Sequence, residues 1–165
     1  MKPSISLLAL LGSLVLFGCA GNKPAVSAEF NRAAALVGQL PANPLQWKVI
    51  SSAIDSRSST MSTLYGNDLA VAYARTNPSH DYPAGAILAL VIWAQAEDPR
   101  WFGAKIPAQV KSVEFLTISD APQGHRLYSY RKFEGTPLQQ SAAEQGTVPS
   151  ARSAYLLSQR AAVMP

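Results

Sequence analysis

The chain has 165 residues, with 14 Lys and Arg against 10 Asp and Glu, a formal charge of +4, one cysteine and two histidines. Its basic residues are scattered along the chain, from Lys2 to Arg160, which excludes the dense stripe with which a protein tracks nucleic-acid phosphates. One cysteine excludes an internal disulfide framework, so the folded part, of single-domain length, depends on an apolar core.

The chain opens with Lys2 and an apolar run, Ile5 to Phe17, broken only by Ser6, Gly12 and Ser13. A secretory apolar region is about 7–15 residues long, whereas a spanning helix needs about 20. The order Leu16-Phe17-Gly18-Cys19 resembles the lipobox of bacterial lipoproteins, in which the cysteine thiol is acylated and becomes the mature N-terminus. The expected division is a signal peptide over 1–18, a lipidated tether over 19–28 and a folded domain over 29–165. An ordinary signal peptide with an incidental cysteine is the alternative. Lipidation at Cys19 implies anchoring to the periplasmic face of a bacterial membrane, and Ala20, in place of Asp, matches outer-membrane sorting. One acyl chain holds a protein only marginally, but the several chains of a bacterial lipoprotein suffice.

Within the domain, "SAEFNRAAALVGQLP" spaces Phe30, Ala34, Leu36, Val37 and Leu40 as a helix does, with Ser27 as N-cap and Pro41 and Pro44 as stops. "QWKVISSAIDS" reads as a strand. "STMSTLYGND" is rich in Thr, Ser and Tyr and closes on a Gly66-Asn67-Asp68 turn, and "DLAVAYART" is then favoured as a helix. From Ala86 to Trp93 both parities are apolar, so this strand is expected to be central, covered on both faces, one of them by helices or a second subunit. "VKSVEFLTIS" and "HRLYSYRKF" alternate better, and each predicts a strand with one wetter face. "VPSARSAYLLSQ" supports a short terminal element, a helix turning into a strand. The sum is a single α+β domain dominated by an antiparallel sheet with a few flanking helices.

The order "PLQWKVISS", "LYGNDLAVAYAR", "YPAGAILALVIW", "SVEFL" and "YSYRKFEGTPL" resembles the haem domain of the cytochrome P-460 and cytochrome c′-beta family over about Pro44 to Ser158. The resemblance implies a β-rich domain, commonly a homodimer. It also implies covalent haem held by Cys-x-x-Cys-His near the C-terminus, used to oxidise hydroxylamine or to bind small gases such as nitric oxide. Thioether attachment needs two thiols beside an iron-ligating imidazole. From Thr136 to Ser158 there is neither cysteine nor histidine, and the family's cross-linking lysine would fall near Leu90. Covalent c-type haem is therefore excluded on this reading. Non-covalent haem would have to use His80, His125, a tyrosine or Met61.

No Gly-x-Ser-x-Gly, His-x-x-His or calcium-spaced acidic loop occurs, so the sequence points away from an enzyme and from a metal site. Trp101 and Phe102 lie in a loop between prolines, where aromatics serve as binding anchors or as lids over a core edge. Tyr128 and Tyr130 share a strand face with Arg126 and Lys132. The candidate pocket or interface residues are thus Trp93, Trp101, Phe102, His125, Tyr128 and Tyr130. The expected protein is a membrane-anchored lipoprotein with a haem-free domain in a binding or scaffolding role. The rival is a non-covalent haem protein with redox or gas-binding function.

Overall fold

The computed structural model describes residues 31–76, 79 and 81–162. Cys19, the tether, the Ser27 cap and His80 lie outside the described residues. Residues from Asn31 onward form one contact-dense unit built on a six-stranded antiparallel meander. Its strands are β1 (Lys48–Asp55), β2 (Thr60–Gly66), β3 (Ile87–Glu97), β4 (Lys105–Asp120), β5 (Arg126–Glu134) and β6 (Gln139–Gly146), each paired with its neighbour in the chain. Helix α1 (Asp68–Thr76) connects β2 to β3, and α2 (Ala151–Ser158) follows β6.

The sheet has two buried faces, as the run Ala86–Trp93 requires. On one face Leu88 and Leu90 pack with Ile50, Leu64, Leu116, Ile118 and Tyr130 beneath Val71 of α1 and Leu156 and Leu157 of α2. On the other, Ala89, Val91 and Trp93 pack with Val113, Phe115 and Phe133 beneath Leu36, Leu40 and Trp47. Trp47 meets Phe115 edge-on at 6.2 Å, and Phe115 meets Phe133 likewise at 5.8 Å. Both covers come from the chain itself, so β3 needs no second subunit to bury it.

The segment expected as a helix up to Leu40 is different in its described part. Only a single 3-10 turn forms at Arg32–Ala34, after which the chain runs extended and bridges in parallel from Gly38 to Leu138. Its carbonyls are taken by the sheet: Trp93 Nε1 donates to Ala34 O at 3.0 Å and Leu138 N donates to Val37 O at 2.7 Å. Apolar spacing here serves a flat strap over a sheet face, where tertiary contacts outweigh helical periodicity.

Strand β4 also departs from expectation. It lacks a wet face between Ser112 and Leu116, where every residue is buried. The terminal element is helical, with Ser150 Oγ accepting from Ser153 N at the N-cap, and among the described residues no strand follows it. One backbone bond, Ala162 N to Ile50 O at 2.7 Å, ties the segment after α2 to β1. Strand β6 had no sequence signal, being exposed over Gln139–Gln145.

Candidate functional site

The two sequence motifs that stand out in the first half of the chain build a corner of the fold. At Gly66 a Cβ would lie 2.7 Å from Ile50 Cδ1 and 3.0 Å from Ala70 Cβ, so only glycine lets β2 turn so tightly into α1. Asn67 then caps the helix. Its Oδ1 accepts from Ala70 N at 3.0 Å and from Ile87 N at 3.2 Å, while its Nδ2 donates to Gly85 O at 2.8 Å. Asp68 pairs with Lys48 at 2.7 Å, and that contact holds its carboxyl below the usual range. In "YPAG", Tyr82 is buried against the Tyr73 ring, centroids 5.0 Å apart, and Gly85 has φ +88°, a left-handed conformation that glycine adopts freely. These residues join α1 to β3. They are architecture, and they carry no reacting group.

Among the described residues, the one concentration of buried charge lies on the face covered by α2. Glu114 sits in β4 between Leu90 of β3 and Lys132 of β5 in the strand register, and it is 2% exposed. Arg152 on α2 reaches it as a fork: Nε donates to Oε2 at 2.6 Å and Nη2 to Oε1 at 2.8 Å. The guanidinium also lies 4.7 Å from the centroid of the Tyr155 ring. Tyr130, beside Glu114 on β5, is 5% exposed. Burial raises its hydroxyl far above the ordinary tyrosine value, and the charge and hydrogen bond of Glu114 add to the effect. Glu114 therefore uses both oxygens to hold α2 on the sheet. The sequence offered one sign of this arrangement, a carboxylate flanked by Val113, Phe115 and Leu116.

Two hollows flank this centre, and both reach Tyr128. One, about 340 Å³, is lined by Asp81, Tyr128, Pro149, Ala154, Leu157 and Ser158. The other, about 170 Å³, is lined by Tyr128, Glu144, Gln145, Gly146, Val148, Ser150 and Ser153. On the opposite face, a hollow of about 500 Å³ runs between Gly38, Gln39, Phe133 and residues 137–140.

The structure divides the six aromatic and histidine candidates. Tyr128 and Tyr130 share the α2 face. Trp93 is on the other face, 5% exposed, beneath the strap. Trp101 and Phe102 are at the tip of the β3–β4 hairpin, 70% and 108% exposed. His125 is exposed in the β4–β5 turn, at the far end of the 16-residue β4. One sheet thickness and one long strand therefore separate them, and they do not form a single pocket.

Tested against haem, the residues of the α2 face do not fit. Neither hollow there is lined by a thiol, an imidazole or a thioether. Tyr128 is the one side chain there of a type that can ligate iron. Burial, together with the neighbouring carboxylate of Asp81, raises its hydroxyl pKa and so opposes the phenolate that ligation needs. Leu90, where the resemblance puts a cross-linking lysine, is buried and apolar. Among the described residues no three His, Cys, Asp or Glu side chains group as a metal site, and no helix is long and apolar enough to cross a membrane.

Comparison with curated proteins finds no match. A family model described as Cytochrome P460 matches residues 41–148, well over half of the chain. The match takes in all six strands and α1 and ends two residues before the Ser150 cap of α2. With its antiparallel sheet and its Gly66-Asn67 and Tyr82-to-Gly85 corner, the chain belongs to the cytochrome P460 family.

Proposed function

We propose that this protein is a lipoprotein, anchored through Cys19 to the periplasmic face of a bacterial membrane, whose cytochrome P460 domain works without haem in a binding or scaffolding role. The observation that carries the reading is the Glu114–Arg152 pair. It fills the space between sheet and α2 with a satisfied ion pair, in a domain whose sequence has no thiol after Cys19. Redox and hydroxylamine chemistry would lack a held iron. What remains is a rigid sheet with shallow hollows beside Tyr128 and a lipid tether at one end.

The test is a visible spectrum with a pyridine haemochrome assay on the chain made in the periplasm of a haem-sufficient host. Colourless protein that also rejects added haemin is the expected result. A stoichiometric Soret band, or haemin bound with a shift in the tyrosine spectrum, would replace the reading with a non-covalent haem protein.

A further inference from the structure

We infer that the tip of the β3–β4 hairpin, Trp101 and Phe102, is a second contact with the lipid bilayer. It would insert into the membrane interface beside the acyl anchor. The inference rests on the lipid reading of Cys19 for its orientation, while the aromatic tip itself is a feature of the fold.

Three observations converge. First, Trp101 and Phe102 are adjacent, 70% and 108% exposed, and stand at the end of the hairpin, unlike Trp93 and Trp47, which pack against the sheet. A bare Trp-Phe pair on a loop loses apolar surface to water unless something covers it, and tryptophan favours the headgroup region of a bilayer. Second, the domain is entered at this end. Asn31 Nδ2 donates to Pro107 O, and Pro107 is two residues into β4 from the hairpin, roughly 7 Å by strand rise. Cys19 precedes Asn31 by twelve residues, so an acylated Cys19 would hold Asn31 within at most about 40 Å of the membrane surface. Third, the charge at this end permits the approach. Arg32, Arg57, Arg100 and Lys105 stand against Asp55, Glu97 and Asp98, so an anionic headgroup surface meets no net repulsion.

The probe is vesicles of phosphatidylethanolamine and phosphatidylglycerol with brominated acyl chains, mixed with the full mature chain carrying Cys19→Ser. Without acyl chains, any binding belongs to the protein surface. The expected result is a blue shift and bromine quenching of tryptophan emission, both absent in Trp101→Phe. Phe102→Ser should lower the lipid partition about tenfold with no change in the urea midpoint. Emission unmoved by lipid, or moved equally in Trp101→Phe, would overturn the inference and leave the hairpin as a surface for a protein partner or for none. The anchor is read separately. Because the hairpin tip could itself keep Cys19→Ser on the membrane, the anchor is settled by mass spectrometry of the N-terminal peptide of the unsubstituted chain: a Cys19 found without acyl chains ends the lipid reading, whatever the vesicles show.

Discussion

Glu114 is a carboxylate inside an apolar layer, and its acceptability there depends on one residue 38 positions away, Arg152. A buried ion pair is poor evidence of net stabilisation, because desolvation offsets most of the attraction, but losing one partner is costly. Arg152→Ala should lower unfolding free energy by about 2–4 kcal/mol, less than for a fully buried pair because the arginine side chain is 38% exposed. Replacing both residues by leucine should restore most of that loss. Urea titration of the single and double variants checks both, and an unchanged midpoint in Arg152→Ala would show that the pair does not hold α2. Tyr130 gives a pH dependence with a definite sign. Its folded-state pKa lies above the ordinary 10.0, chiefly through burial and then through Glu114. The unfolded chain therefore releases this proton first, so the contribution is intact below pH 10 and is lost as pH rises beyond it. Tyr130→Phe should flatten the fall of the urea midpoint above pH 10. The fall will not vanish, because Tyr65, Tyr82 and Tyr128 are also raised.

At the scale of elements, the β2–α1–β3 corner is the most connected piece. Asn67 satisfies a helix-end donor and the first amide of β3 with one oxygen, and the carbonyl of Gly85 with its nitrogen. Asn67→Ala should cost about 1–2 kcal/mol in urea unfolding. Asn67→Asp should recover part of that, since it keeps the acceptor and loses only the donor to Gly85. Equal midpoints for the two variants would mean that the bond to Gly85 dominates. This corner was legible because a Gly-Asn-Asp turn before an apolar run is local chemistry. Strand β3 was legible for a similar reason, its apolar residues on both parities. Strand β6 was not: Gln139–Gln145 is exposed on both faces, and pairing with β5 defines it where hydrophobic alternation does not. The strap was misread for the converse reason, since its apolar spacing suits a helix while its partners form a flat sheet.

For the whole molecule, the meander closes both faces with the chain's own segments. The strap covers one face and the two helices cover the other, so the face of β3 that a sequence reader would assign to a partner is occupied. Any second contact must use ends, edges or shallow hollows. Among these, the hairpin tip exposes Trp101 and Phe102, 70% and 108%, and Asn31 bonds close beside it. Haem binding belongs to this scale as well, because it would need α2 and the sheet to part over a space now filled by Glu114, Arg152, Leu156 and Leu157. Colourless protein on purification is the outcome expected of so closed a layer.

What the sequence determined by itself is what lies within a window of one strand or one turn. That includes the central β3, the capped start of α1, and the absence of thiol and imidazole from the C-terminal stretch. Tertiary structure alone decided which residues meet. It put Trp93 and Tyr130 on opposite faces, brought Arg152 to Glu114, and left Trp101 and Phe102 bare beside the point where Asn31 arrives. The physical reason is that periodicity is written along the chain, whereas facing and contact depend on strand register and on bonds between distant segments.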